Sequence, residues 1–267
     1  MAATPKIVLL SQKDPTKDVE LAPEEGPFES WLAVAQDMWG AGNLTPFDSV
    51  FASRAIGAMA PTQNAVLGAV CYQFGRRLFT FCREANIWVD AWEGEPALSQ
   101  IEKRAKDKVR FAVWSPGKKQ LGSSRLTHIA VLSPSRLAGA PDELVREAVL
   151  ALKKGGSLFV ADLVRTGADI ALPGTPSLHT AEEYRAWIEA EGVKFYSEHE
   201  LTGDVRICLV RGLHHSLNML ANVRRLREPW RGQRFKAFQQ ELESTVALYG
   251  AIERGEVAAL GLLYTRP

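Results

Sequence analysis

The feature that most constrains the fold is an alternation of short apolar runs with amphipathic helical segments through the middle of the chain. Four runs have the length of strands: residues 87–92, 109–114, 127–132 and 157–164. Two segments with helical spacing lie among them: residues 96–108 and 141–154. Because such β–α alternation is typical of parallel sheets covered on both faces, the pattern predicts a doubly wound, mostly parallel α/β fold.

Signals at the segment boundaries support this prediction. Asp142 stands near the start of the second helical segment and Gly155 directly follows its end. Thr180 and Glu183 form a capping-box pattern, which predicts the start of a further helix that ends at Gly192.

The N-terminal part is organised differently. Residues 1–27 contain one apolar run and then a stretch rich in Pro, Glu and Lys, so we expect an N-terminal extension to a domain of residues 28–267. Within that domain, residues 28–59 have helical spacing in two segments, which predicts two helices before the sheet.

The C-terminal part predicts a late helical insertion, residues 205–254. Helical spacing covers residues 205–227 and 235–254, although the apolar alternation at the start of the first segment is also compatible with a strand. Residues 258–265 predict a strand that closes the chain, either at the edge of the sheet or next to the edge.

Charge and cysteine content exclude several classes of protein. The chain has 32 Lys and Arg against 31 Asp and Glu, and this balance disfavours a nucleic-acid partner. Its three cysteines form neither a disulfide framework nor a close C-x-x-C pair. No apolar run approaches the roughly 18 residues of a membrane span, and the N-terminus does not have the charge order of a signal peptide. We therefore expect a cytoplasmic protein.

The segment between residues 143 and 162 is a helix that leads through a Gly-Gly turn into a strand ending in an acid. It resembles a segment of the class I S-adenosylmethionine-dependent methyltransferases. Other segments are similar to further elements of this family, in the family's order: residues 88–105, 109–115, 126–133, 200–204 and 255–267. The resemblance implies a Rossmann-like fold and, for an active member, S-adenosylmethionine as cofactor and a small molecule as substrate.

The resemblance also implies where the cofactor would bind. Family members have a glycine-rich loop after the first strand, an acid at the end of the second strand for the ribose, and often an acid after the third strand for the adenine. An alignment without gaps puts Trp92 at the ribose position, with Asp90 and Glu93 as the nearest carboxylates, and Ser115 at the adenine position. Asp90 has the correct strand parity but is about 7 Å short of the end.

The first strand and its loop depart further from the family. If residues 65–70 form that strand, the following loop contains no glycine, and Tyr72 and Phe74 would narrow the pocket together with Trp92 and Trp114. Trp88 also falls in this group of strand-end tryptophans. Alternatively, residues 63–84 form one helix and the loop is absent. Either arrangement predicts that no cofactor is bound in the family's manner.

Two further residues have side chains suited to chemistry. Asp162 ends a central strand, where open α/β sheets bind ligands, so it is either a substrate-orienting acid or a turn acid. His214 titrates near neutral pH and could act as a general base, or it is an ordinary surface histidine.

A short basic segment is the main candidate for a binding surface. Between residues 224 and 236 the net charge is +5, with Trp230 and Phe235 among the cations. The arginines of this segment are Arg224, Arg225, Arg227, Arg231 and Arg234. Such a segment can bind phosphate, an acidic protein or anionic lipid headgroups, or it can be a solvated helix face.

These observations leave three functional hypotheses. The first is a methyltransferase-like protein with a degenerate cofactor site, which acts by binding a protein partner. The second is an active S-adenosylmethionine-dependent methyltransferase with a small-molecule substrate and with Asp90 or Glu93 on the ribose. The third is a module that binds phosphate or nucleic acid through residues 224–236.

Overall fold

The structure is a computed structural model, which describes residues 27–40, 43–71, 81, 84–93, 109–136, 140–175, 177–226 and 230–267. The helices in this part of the chain are α1 (Pro27–Trp39), α2 (Asp48–Met59), α3 (Pro141–Ala151), α4 (Ala181–Glu189), α5 (Thr202–Arg224) and α6 (Trp230–Glu253). The strands are β1 (Val66–Cys71), β2 (Trp88–Glu93), β3 (Val109–Val113), β4 (Leu126–Leu132), β5 (Leu152–Arg165), β6 (Lys194–Glu200) and β7 (Val257–Thr265).

The seven strands form one sheet in the order β3-β2-β1-β4-β5-β7-β6. Strands β1 to β5 pair in parallel, and β7 is antiparallel to both of its neighbours. Helices cover both faces, so the predicted doubly wound, mostly parallel α/β fold is confirmed. Strand β7 is next to the edge, which selects one of the two predicted positions.

Two apolar layers sandwich the sheet because strand residues alternate between its faces. Val89 and Ala91 face the layer that contains α2 and parts of α5 and α6. Trp92 faces the opposite layer, where α3 and α4 pack against the sheet. The sheet is therefore buried on both sides in its centre, as the apolar run in β5 predicts.

Helices α1, α5 and α6 pack together beside the sheet. Their contacts centre on Val34 and Met38 of α1, Met219 of α5 and Phe238 of α6. The carboxylate of Glu241 on α6 accepts hydrogen bonds from two indole nitrogens of α1, those of Trp31 at 3.2 Å and Trp39 at 2.8 Å. These three helices form what we call the helical cap.

Several predicted boundaries are wrong. The helix predicted for residues 141–154 ends at Ala151, and β5 begins at Leu152 instead of residue 157. The strand extends this far because Leu152 pairs with β4, and because the Gly155 amide donates to the carbonyl of Arg266 at 2.7 Å. The start of α5 is helical, so the strand alternative for residues 205–209 is wrong, and α6 begins five residues before its predicted start.

The first strand is the other point where alternatives stood open. Residues 66–71 form β1, so a single helix over residues 63–84 is wrong. The loop that follows, with Tyr72 and Phe74, lies outside the described residues. So do the N-terminal extension, up to residue 26, and the helix predicted for residues 96–108.

Candidate functional site

Strand order changes direction between β1 and β4, and the carboxyl ends of such strands are where open α/β sheets bind ligands. At this point β4 runs into a short 3₁₀ turn, Pro134–Arg136. Ser133 enters the turn with φ of 53°, and its amide donates to the Ala161 carbonyl at 2.7 Å. The Ser133 hydroxyl is buried and has no hydrogen-bond partner among the described residues. This turn forms the floor of the candidate site.

Asp162 holds the turn from one side. Its carboxylate accepts hydrogen bonds from the amide and hydroxyl of Ser135 at 2.8 and 2.9 Å, the Leu163 amide at 2.8 Å and the Tyr184 hydroxyl at 2.5 Å. Burial raises the pKa of Asp162, although these hydrogen bonds partly oppose the rise. Burial and the neighbouring carboxylate raise the pKa of Tyr184 well above its ordinary value. Because both carboxylate oxygens are occupied, the geometry is that of a turn acid.

Asp48 is a second buried acid, close to Arg136 of this turn, and sequence reasoning missed it. Its buried carboxylate accepts from the amides of Leu44 and Thr45, both at 2.9 Å, and from the Thr45 hydroxyl. Burial raises the pKa of Asp48 despite these bonds and the nearby charge of Arg136. The Arg136 guanidinium also lies 5.5 Å from the ring centre of Phe47. An acid in the first turn of α2 was the one available sequence signal.

Asp90, the carboxylate nearest the implied ribose position, lies inside an ion-pair cluster. Arg110 donates to it from Nε at 2.6 Å and from Nη2 at 3.0 Å, and Nη1 of Arg125 lies 2.7 Å from Oδ2. The Trp88 indole nitrogen donates to the same carboxylate at 3.3 Å. The Asp90 side chain is 3% exposed. Its oxygens are therefore directed at these groups on the face of the sheet and away from the carboxyl edge.

The three strand-end tryptophans do not all lie at the carboxyl ends of their strands. Trp88 is the first residue of β2 and thus lies at the opposite edge from the carboxyl ends, so its predicted place beside a cofactor is wrong. Trp92 and Trp114 are buried in the layer under α3. The Trp114 indole donates to the buried carboxylate of Glu147 at 2.8 Å, and the Leu121 amide donates to that carboxylate at 2.5 Å. These two indoles are core side chains.

Ser115 and Glu93 are the other two residues of the predicted cofactor site. Ser115 is half-buried, and its amide donates to the side-chain oxygen of Gln120 at 2.8 Å. Glu93 ends β2 opposite Val113 of β3, and its side chain lies outside the described residues. No described carboxylate therefore occupies the ribose or adenine position that the resemblance implies.

The predicted partner-binding residues lie in the helical cap. His214 is exposed on α5, and Arg224 and Arg225 are exposed at its end. Arg231 and Arg234 follow in the first turns of α6, where Arg234 is close enough to Asp37 of α1 to lower the pKa that burial raises. Arg227 and the Trp230 side chain lie outside the described residues. The described residues of the basic segment thus lie on α5 and α6, whereas the turn of the candidate site follows β4.

Neither a metal centre nor a membrane span is found among the described residues. Within the ranges given above, no group of three His, Cys, Asp or Glu side chains has the geometry to hold a metal ion. No helix in those ranges is both long and apolar enough to cross a membrane.

Comparisons with known proteins show which solved structures have a similar fold. No protein-family model matches the sequence, and no curated protein matches it significantly. Among solved structures, the cyclase SpnF is 14% identical with a TM-score of 0.67, over 82% of this chain and 81% of its own. The cyclopropane synthase MmaA2 from Mycobacterium tuberculosis is 9% identical with a TM-score of 0.69, over 89% and 94%.

A third neighbour contains the cofactor. Phosphoethanolamine N-methyltransferase 2 from Haemonchus contortus, in complex with S-adenosylmethionine, is 11% identical with a TM-score of 0.70. The match covers 91% of this chain but only 57% of the worm enzyme. The chain therefore has the class I methyltransferase-like fold that its sequence resembles. Identities this low establish the fold alone, and a cyclase among the neighbours shows that the fold carries more than one reaction.

Proposed function

We propose that this protein is a methyltransferase-fold protein that does not bind S-adenosylmethionine in the family's manner and that acts as a binding subunit. The observation that carries the proposal is that Asp90 and Trp92 of β2 are both engaged in other contacts. Asp90 is committed to Arg110 and Arg125, and Trp92, at the implied ribose position, is part of the core. A bidentate ribose contact would otherwise supply two charge-assisted hydrogen bonds, each worth about 1.5–3 kcal/mol.

Calorimetric titration with S-adenosylmethionine and S-adenosylhomocysteine tests this proposal. We expect no binding tighter than about 50 μM, which corresponds to about 6 kcal/mol. Tighter binding by the wild-type chain would overturn the proposal. If Glu93→Gln then abolished that binding, the active alternative, with Glu93 on the ribose and a small molecule as substrate, would be the correct one.

The basic segment supports the second half of the proposal. Arg224 and Arg225 are exposed where α5 ends, and Lys236 is exposed near the start of α6, so a cluster of cations projects from the helical cap. Complementary charge steers such a surface to an acidic partner. We therefore place the partner contact here and expect an acidic protein surface opposite it.

Affinity purification from the native source tests the contact. The wild-type chain is expected to recover a stoichiometric partner, and the double variant Arg224→Glu and Arg225→Glu is expected to lose it. The matched control reverses two exposed cations at the start of β5, Lys153 and Lys154, and should retain the partner. Recovery of the chain alone, or equal loss in both double variants, would contradict a partner site at this segment.

A further inference from the structure

The connection from β3 to β4 contains no helix in the described part of the chain. Residues 114–125 cross from one strand to the other in irregular structure, although doubly wound sheets ordinarily place a helix at such a crossover. Two side chains of β3 on this face are consequently exposed, Arg110 and Ala112. They pair in register with Asp90 and Trp92 of β2. Cationic and aromatic side chains take the place of a helix on this face.

Arg110 and Arg125 are held side by side here by one carboxylate. Both contact Asp90 within 3.0 Å, and Arg125 also donates from Nε to the Leu121 carbonyl at 3.0 Å. Each guanidinium also lies over an indole, Arg110 at 5.3 Å from the ring centre of Trp88 and Arg125 at 5.4 Å from that of Trp92. The positions of the two cations are therefore fixed before any ligand arrives.

The cluster has a net positive charge and N–H donors that are not engaged with described residues. Two guanidiniums against one carboxylate leave a net charge of +1, and each guanidinium has five N–H donors, of which two at most are engaged with described residues. The side chain of Arg110 is 61% exposed and that of Arg125 is 39% exposed. A small anion can thus reach both cations from solvent.

We propose that this face of β2 and β3 is a binding site for a phosphate dianion, either free or as a phosphomonoester. Phosphate oxygens match the planar fork of a guanidinium, and a dianion gains from both forks at once. Two pre-positioned arginines lower the ordering cost that ordinarily limits the affinity of such small ligands. Trp88, 39% exposed beside Arg110, adds an indole edge next to the site against which an aromatic phosphomonoester packs.

This site is separate from the candidate site at the carboxyl edge. Trp88 begins β2 and Arg125 immediately precedes β4, so both lie toward the amino ends of the parallel strands. It also shares no residue with the basic segment of the helical cap. The proposal therefore stands whether or not S-adenosylmethionine binds.

Calorimetric titration with inorganic phosphate at pH 7.5 and low salt is the direct test. We expect saturable binding with a Kd in the millimolar range or tighter, at least fivefold weaker in Arg110→Gln and in Arg125→Gln. The control Arg211→Gln, at an exposed position on α5, is expected to bind like wild type. No binding up to about 50 mM phosphate, or equal weakening in the control, would overturn the proposal.

Asp90→Asn gives a test of opposite sign. The variant raises the net charge of the cluster from +1 to +2. Asparagine retains one side-chain oxygen as an acceptor, and the two indoles and the Leu121 carbonyl still position the guanidiniums, so phosphate binding is expected to tighten at least threefold. A purely structural ion pair predicts instead that folded Asp90→Asn still fails to bind phosphate, which would overturn the proposal even if an arginine variant did not fold.

Titration with phenyl phosphate distinguishes free phosphate from an aromatic phosphomonoester as the ligand. Tighter binding than inorganic phosphate, lost in Trp88→Ala, identifies an aromatic phosphomonoester, and equal affinity identifies phosphate alone.

Discussion

Replacement of Gly212 by alanine is a sharp test of how the helical cap is packed. Gly212 lies on the buried face of α5, against the indole of Trp39 on α1. A Cβ at this position would lie 1.8 Å from Cζ3 and 2.3 Å from Cη2 of that ring, far inside van der Waals contact. The indole would have to move, and its hydrogen bond to Glu241 at 2.8 Å would be strained or lost.

The expected change in the free energy of unfolding has three contributions. Overpacking of a closed core costs about 1–3 kcal/mol, and loss of a hydrogen bond to a charged group costs about 1.5–3 kcal/mol. Alanine in place of glycine inside a helix returns about 1 kcal/mol. The net destabilisation expected for Gly212→Ala is therefore about 1.5–5 kcal/mol, which lowers the Tm of a chain of this size by roughly 2–4 °C per kcal/mol.

The assay is thermal and urea unfolding of Gly212→Ala beside a matched control, Gly57→Ala. Gly57 is exposed inside α2, and a Cβ there meets nothing within 4 Å. The same substitution is expected to stabilise the protein there by about 0.4–1 kcal/mol. Partial recovery in Gly212→Ala with Trp39→Leu would assign the loss to the indole. If Gly212→Ala proved as stable as Gly57→Ala, the contact between α1 and α5 would be wrong.

Three further substitutions test buried polar groups. Glu147→Ala leaves the Trp114 indole and the Leu121 amide without their acceptor and is expected to lower the free energy of unfolding by about 2–5 kcal/mol, measured by urea titration. Burial lowers the pKa of His128 below 6.5, so the unfolded state takes up a proton first as pH falls; stability decreases below about pH 6.5, and His128→Gln is expected to flatten that part of the pH profile. Burial raises the pKa of Asp162 above 3.8, so the stability of wild type relative to Asp162→Asn should fall as pH rises from 3.8, and a constant difference would contradict the buried carboxylate.

The sheet could be predicted from the sequence because its signals are local. Strands β2 to β4 coincide with apolar runs to within one residue, and β5 contains the run at residues 157–164. The capping box at α4 is present, with the Thr180 hydroxyl accepting from the Glu183 amide at 3.1 Å. Strand β6 has no such local signal. Its first three side chains are exposed, and the last four, Ser197 to Glu200, alternate between half-buried and exposed and are polar or charged, so no apolar pattern marks its residues.

The surroundings of Asp90 could not be predicted in the same way. Strand parity places the acid on a face, but its partners come from residues 110 and 125, on another strand and in a connection without helical or strand periodicity. No sequence rule joins positions that far apart. The end of α3 could not be predicted for a similar reason. Leu152 and Gly155 belong to a strand because they pair with β4 and with Arg266 near the C-terminus.

Packing and ligand binding compete for the same positions at the ends of β2 and β3. A buried tryptophan removes about 150–250 Å² from water, which is worth about 4–6 kcal/mol at 25 cal/mol per Å². Trp92 and Trp114 together therefore contribute as much as the whole net stability of an ordinary domain, about 5–15 kcal/mol. Glu147 fixes this arrangement, because it ties the Trp114 indole and the connection before β4 to α3. An acid at position 92 would have to replace that packing and be desolvated as well, so a carboxylate at this position is expected to cost a large part of the stability.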